Sequence, residues 1–121
     1  MTLKTFDLED RLVKFSVRIV EVVEALPNTK AGNYISSQLI RCGLAPALLY
    51  GEAQSAESRM DFIHKMKIVL KELKETRVCL KIISQSEMIM PVERLKHIKS
   101  EDEQLISIIA KSIDTAKSNL K

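Results

Sequence analysis

The feature that most constrains this chain is a repeated spacing of apolar residues by alternate steps of four and three. Near the start of the chain, these steps connect Leu8, Leu12, Phe15, Ile19, Val22 and Leu26. Alternating steps of four and three align side chains along one face of an α-helix that packs at a shallow angle against its neighbours. The spacing therefore predicts a first helix, which Pro27 and Asn28 end.

The same steps recur twice further along the chain. One run comprises Ile35, Leu39, Cys42, Pro46, Leu49 and Ala53. A longer run comprises Phe62, Met66, Val69, Leu73, Thr76, Leu80 and Ile83. They predict a second helix from about residue 31 to 53 and a third helix, which Ser55 or Ser58 caps at its start and which ends within SQSEMIMP.

A fourth helix is predicted from a last apolar face, which comprises Leu95, Ile98, Leu105, Ile109, Ile113 and Ala116. Its start has two interpretations. Ser100 followed by Glu103 matches a capping box, which would begin a helix there. Alternatively, one continuous helix runs from Pro91, in its first turn, to about residue 118. We favour the continuous helix.

The second helix contains Gly43 and Pro46, which are both poor helix residues. Proline in a helix interior costs about 3 kcal/mol, and glycine costs roughly 1 kcal/mol relative to alanine. Because the apolar spacing continues through Pro46, we expect the helix to bend there and not to stop. We favour a packing role, in which Gly43 permits a close approach between helices. In the alternative, the Cys42 carbonyl that Pro46 leaves without a donor binds a partner.

Composition supports a helical fold, since the 121 residues include only three Gly and three Pro. Sheets need turn residues at much shorter intervals. Four helices joined by short turns predict an all-α, up-down-up-down antiparallel four-helix bundle. The length suits a single domain that spans residues 1–121.

The chain has no apolar segment near the roughly 20 residues that cross a bilayer, and its start lacks the apolar core of a signal peptide. Cys42 and Cys79 form no C-x-x-C pair. We therefore expect a cytoplasmic protein that has no membrane contact and two reduced, buried thiols.

Two of the predicted helices carry more apolar residues than one stripe requires. The first has a second row formed by Val13, Val17 and Val20, and the third adds Ile63, Leu70 and Ile82. These residues either widen the face that packs inside the bundle or pack against another subunit. The valine row is the candidate oligomer interface.

Basic residues recur at helical spacing on the third helix. Lys67, Lys74 and Lys81 lie seven residues apart, with Lys71 between them. A second candidate surface on the first helix comprises Arg11, Lys14 and Arg18. The net charge of +3 permits contact with nucleic acid but does not require it. These residues form either a solvated face or a surface for phosphate backbones.

The segment IRCGLAPALLYGEAQSAESRMDFIHKMKIVLKELKET resembles the four-helix-bundle proteins encoded in bacterial 23S ribosomal RNA intervening sequences. The matching positions are Arg41, the bend at Gly43 and Pro46, Glu52 with Ala53, Ser58 with Arg59, Asp61 with Phe62, His64 with Lys65, Lys71 with Glu72, and Glu75. The match covers about a third of the chain. Two departures are Leu48 and Leu49, where the family often has Asn, and Val78 and Cys79, where an aromatic residue is common.

The resemblance implies a small up-down bundle that assembles into a ring, typically a homopentamer. A related group, the variability-determinant accessory proteins of diversity-generating retroelements, binds reverse transcriptase and nucleic acid. The resemblance implies no agreed biochemical activity for the intervening-sequence proteins themselves.

The motif also supplies a candidate ion network, which comprises Arg41, Glu52, Asp61, His64, Lys71, Glu72 and Glu75. We expect Glu72 and Glu75 to meet Arg41 or a lysine at a seam of the bundle or between subunits, and His64 to hydrogen-bond to Asp61. Such networks fix register more than they add stability. A ligand site at these residues is the less favoured alternative.

Catalysis has little support in the sequence. Di-iron bundles need Glu-x-x-His on two helices, and the only analogue here is Asp61-x-x-His64. No phosphate-binding loop or nucleophile elbow is present. We therefore expect no cofactor and no metal. The favoured hypothesis is a non-enzymatic binding scaffold for RNA or DNA, with room for a protein partner. The alternatives are a structural or protein-interaction module and, least favoured, a metal enzyme.

Overall fold

A computed structural model describes the backbone of residues 3–120 and the side chains of residues 8–120. The helices are α1 (Leu3–Ala25), α2 (Lys30–Gln54), α3 (Arg59–Gln85) and α4 (Lys96–Ser118), with a short 3-10 helix (Val92–Leu95) directly before α4. Residues 3–120 contain no β-strand. The all-α prediction is therefore confirmed.

No helix within the described residues is long and apolar enough to cross a membrane.

Contacts between neighbouring helices define the topology. On α2 and α3, Arg41 pairs with Glu72 while Glu52 pairs with Lys65, so the residue numbers run in opposite directions. The α3 and α4 helices are antiparallel by the same reasoning, because Arg77 meets Glu103 and Ser84 meets Lys99. On α1 and α2, Ile19 lies against Gly43 while Leu8 and Tyr50 line one cavity, so these helices are antiparallel too and the predicted up-down order is confirmed. Contact between α1 and α4 is the least extensive between adjacent long helices.

The core consists mainly of the residues that the four-three spacing selected. Leu12, Ile19, Leu39, Leu73 and Leu105 are all completely buried. Burial of such side chains stabilises a fold by about 1.5–3 kcal/mol each. Other members of the apolar rows, among them Leu8, Leu49 and Phe62, lie half-buried at its margin. The spacing therefore identified the packing face of every helix.

Side-chain hydroxyl groups cap the starts of two helices, of which the sequence predicted the one at α3. The Thr29 hydroxyl accepts a hydrogen bond from the Gly32 amide at the start of α2. Ser58, one of the two predicted caps, accepts from the Asp61 amide at the start of α3. Ser55 lies instead at the C-terminal end of α2.

The start of α4 corrects one alternative. Ser100 lies inside α4, so the capping box at Ser100 and Glu103 does not begin a helix. The favoured continuous helix describes the segment better, although its first turn, after Pro91, is a 3-10 helix. Leu95, in that turn, is buried in the core and anchors it.

Helix α2 continues through Pro46, as the apolar spacing predicted. Cys42 is completely buried, which removes its carbonyl from contact with a partner. Gly43 is also buried and lies against Ile19 of α1. These contacts support the packing interpretation of Gly43, and the bend at Pro46 stays a prediction.

The extra apolar residues separate into two groups. On α3, Ile63 is buried and Leu70 half-buried, so both belong to the core face, whereas Ile82 is exposed. On α1, the row formed by Val13, Val17 and Val20 is exposed by 47%, 55% and 38%. The valine row lies roughly opposite the core-facing residues, since an α-helix has about 3.6 residues per turn. It therefore does not widen the core stripe within one chain.

Candidate functional site

The four lysines of α3 occupy the outer face of that helix. Lys67, Lys71, Lys74 and Lys81 are all exposed. At about 3.6 residues per turn, Lys67, Lys74 and Lys81 each lie about 100° around the helix from the buried residue that precedes them, which is Met66, Leu73 or Leu80. A rise of about 1.5 Å per residue separates the first lysine from the last by roughly 21 Å. The name "lysine face" is used below for these four residues.

Acidic residues beside the lysine face are already paired with another cation. Arg41 of α2 donates to the Glu72 carboxylate at 3.2 Å and also to Glu75. Its hydrogen bond to Glu75 is the main cause that raises the pKa of Arg41. None of the four lysines has a carboxylate at ion-pair distance among the side chains of residues 8–120. The described carboxylates therefore do not neutralise the lysine face.

Exposed apolar side chains and His64 share this outer face with the lysines. Met60, Val78 and Ile82 are exposed by 63%, 52% and 46%. The only aromatic residue of α3 is Phe62, which is half-buried at the edge of the core. Single-strand recognition commonly uses aromatic rings on which bases stack. The lysine face has the chemistry to contact phosphate groups, and α3 exposes no Phe, Tyr or Trp beside it on which bases could stack.

The second candidate surface, on α1, is less available. Arg11 is half-buried and donates from Nε and Nη2 to the two carboxylate oxygens of Glu101, at 3.1 and 2.9 Å. Lys14 pairs with Asp10 at 2.9 Å. Arg18 is exposed. Arg11 thus joins α1 to α4, and this surface is less positive than the lysine face.

The candidate ion network divides into two clusters. One joins Arg41 to Glu72 and Glu75, as predicted. Glu72 is only 8% exposed, so in its ion pair with Arg41 the carboxylate is largely shielded from water while the guanidinium is exposed.

The second cluster is centred on Lys65, which was not among the residues predicted for the network. Lys65 lies 3.6 Å from Glu52 and 3.9 Å from Asp61. His64 is exposed, and it makes no hydrogen bond to Asp61 in the described structure, so that expectation is wrong. The spacing of four between Asp61 and Lys65 was a readable signal for their contact.

Two buried polar features lie in the core. Asp102 is 1% exposed, and neither of its carboxylate oxygens has a hydrogen-bond partner among the described residues. The two cysteines are free and buried, as expected. A contact with Cys79, together with burial, raises the pKa of the Cys42 thiol. Among the described residues, no group of three or more His, Cys, Asp or Glu could hold a metal ion.

Comparison with known proteins identifies a family that the chain matches. The family model described as 23S rRNA-intervening sequence protein matches residues 4–111. The chain is also similar to a protein of unknown function from the S23 ribosomal protein family of Bacteroides thetaiotaomicron, solved by crystallography at 1.70 Å resolution. The two are 31% identical with a TM-score of 0.81, over 88% of this chain and 97% of the other. No curated protein matches.

Proposed function

The chain belongs to the 23S rRNA-intervening sequence protein family, and from this premise we propose that it is a non-enzymatic scaffold that binds RNA or DNA. The observation that carries the proposal is the lysine face. Its four exposed ammonium groups share one side of a rigid helix, and Arg41 occupies the nearest carboxylates. Such an arrangement leaves the positive charge available to a phosphate backbone.

Binding of this kind follows from electrostatics. Each lysine that neutralises a phosphate releases a condensed counterion, so affinity falls as the salt concentration rises. Backbone contacts carry no information about base identity. The protein would therefore bind many sequences with similar affinity, and its specificity would depend on the shape of the nucleic acid.

Assembly into a ring, with a pentamer favoured, is the second part of the proposal. The valine row on α1 is exposed in the single chain and lies away from the core, so another subunit has apolar surface to cover. Rotational symmetry would repeat the lysine face once per subunit. A net charge of only +3 per chain would then become an extended positive surface.

The alternative function is a structural or protein-interaction module with no nucleic-acid role. The exposed side chains of Met60, Val78 and Ile82 favour it, because apolar groups between lysines suit a protein partner better than a phosphate backbone. A cytoplasmic location, predicted from the sequence, belongs to both proposals.

A salt titration tests the proposed function. Fluorescence anisotropy would follow the binding of labelled single-stranded RNA of mixed sequence to the wild-type protein between about 50 and 200 mM salt. We expect each of the four lysines to contact one phosphate. A plot of the logarithm of the association constant against the logarithm of the salt concentration should then have a slope of about −3 for each subunit that binds the RNA. Absence of binding at the lowest salt concentration, or affinity independent of salt, would reject the nucleic-acid role.

A further inference from the structure

A cavity of about 820 Å³ opens at the end of the bundle where α1 begins and α4 ends. Leu8 of α1, Phe62 of α3 and Ile108 of α4 contribute its apolar wall. Tyr50 of α2 also lines it and is 3% exposed. Small-molecule sites commonly have volumes of about 300–1,000 Å³ and combine an apolar lining with a few polar groups. The cavity therefore has the size and the lining of a ligand site.

The charged side chains that line this cavity are basic, among the residues that the structure describes. Arg11, Arg59 and Lys111 line it, and none of the described residues that line it is acidic. Arg11 is held at the rim by Glu101. Arg59 and Lys111 have no carboxylate at ion-pair distance among the side chains of residues 8–120. Two cations that no described carboxylate pairs with thus lie beside an apolar surface.

Hydroxyl groups add polar contacts to the same wall. Ser112 and Thr115 line the cavity from α4, one helical turn apart. The Tyr50 hydroxyl adds a further polar group, and burial raises its pKa. These groups suit an oxygen-rich anionic head group better than a purely apolar molecule.

We propose that this cavity binds a small amphipathic organic anion. Arg59 and Lys111 hold its anionic head group, and Leu8, Phe62 and Ile108 contact its apolar body. A singly charged carboxylate on a hydrocarbon chain has this chemistry. The site is separate from the lysine face, which begins two helical turns further along α3. The proposal therefore stands whether or not the protein binds nucleic acid.

Binding of decanoate to the intact wild-type protein tests the proposal, with 1-decanol as the neutral probe of equal chain length. We expect decanoate to bind saturably and 1-decanol to bind at least about tenfold more weakly, because the cations contribute only to the anion. In NMR spectra, the amide signals of Phe62 and Thr115 should shift with added decanoate, while that of Lys74 should not. Equal binding of the two probes, no saturable binding, or shifts confined to other residues would overturn the proposal.

Variants locate the head group. Arg59→Gln combined with Lys111→Gln should lower decanoate affinity at least about tenfold. The matched control, Lys67→Gln with Lys74→Gln, removes the same charge from the lysine face and should leave decanoate affinity unchanged. Circular dichroism checks that both variants fold. Equal decanoate affinities for the two folded variants would overturn the assignment of the head group to Arg59 and Lys111. If a variant does not fold, the NMR shifts of the wild-type protein with decanoate test the site instead.

Discussion

Gly43 of α2 lies so close to Ile19 of α1 that a Cβ atom at Gly43 would be 2.6 Å from Cγ2 of Ile19 and 2.9 Å from its Cγ1. Ile19 is completely buried, and its branched side chain has little rotamer freedom in a helix. Glycine at this position therefore permits the close approach of the two helices. The loss of helix propensity at Gly43 is the cost of that packing.

Substitution Gly43→Ala should destabilise the protein, although alanine is the better helix former. We expect the free energy of unfolding to fall by about 1–3 kcal/mol, because the added methyl group overpacks the contact with Ile19. Gly51→Ala is the matched control, since nothing lies within 4 Å of a Cβ there, and it should stabilise the protein by up to about 1 kcal/mol.

Urea denaturation of both variants checks this prediction, and Ile19→Ala provides a further control. Removing the Ile19 atoms that a new Cβ would meet should make Gly43→Ala cost less in that background than in the wild type. A Gly43→Ala variant as stable as Gly51→Ala would contradict the packing explanation.

Asp102 gives the protein a predicted pH dependence. Burial is the main cause that raises its pKa from 3.8 to about 8. Glu103 and Cys42 raise the pKa further, and Arg77 opposes them. Between these two values the folded state keeps a proton that the unfolded state has released. The free energy of unfolding should therefore fall as pH rises through this window, by up to about 1.4 kcal/mol per pH unit.

Substitution Asp102→Asn should remove this loss of stability. Relative to wild type, its free energy of unfolding should rise by more than about 2 kcal/mol between pH 5 and pH 8 or so. Asp114→Asn, an exposed change on the same helix, should show a difference that is nearly independent of pH. Urea unfolding at a series of pH values measures both, and parallel profiles for the two variants would show that Asp102 is not protonated in the folded state.

The sequence predicted the core well because apolar spacing records the side of a helix that faces its neighbours. The same spacing contained a signal for Asp102, which occupies the step between Ile98 and Leu105 in the row of α4. Asp102 was not predicted to be buried, because only apolar residues were counted and an acid is rarely buried without a partner. The four-three spacing thus predicts the burial of a polar residue better than its residue type does.

Contacts between helices were harder to predict. The contact of Arg41 with Glu72 and Glu75 was predicted because all three belong to one motif. The structure contains this contact. The pair formed by Glu52 and Lys65 depends on the register between α2 and α3, which no single-helix pattern specifies. The cavity at Arg59 and Lys111 likewise depends on where the ends of separate helices meet.

Assembly can be tested at the valine row. Light scattering of the wild-type protein should give about five times the 13.7 kDa chain mass. Val17→Lys should reduce that mass, because a lysine charge would be buried between subunits. Val78→Lys is the matched control, since Val78 is exposed by 52% and Val17 by 55%, and its mass should equal that of wild type. A wild-type mass of 13.7 kDa at micromolar concentration would contradict assembly through this row.

The most direct test of the central claim compares two triple variants by fluorescence anisotropy with labelled RNA at low salt. Lys67→Glu, Lys74→Glu and Lys81→Glu together reverse the lysine face. Lys30→Glu, Lys96→Glu and Lys117→Glu reverse three exposed lysines elsewhere, so both variants change the net charge from +3 to −3. Both should fold, because exposed charges contribute little to stability. The account predicts that only the lysine-face variant loses binding, and equal affinities for the two variants would contradict it.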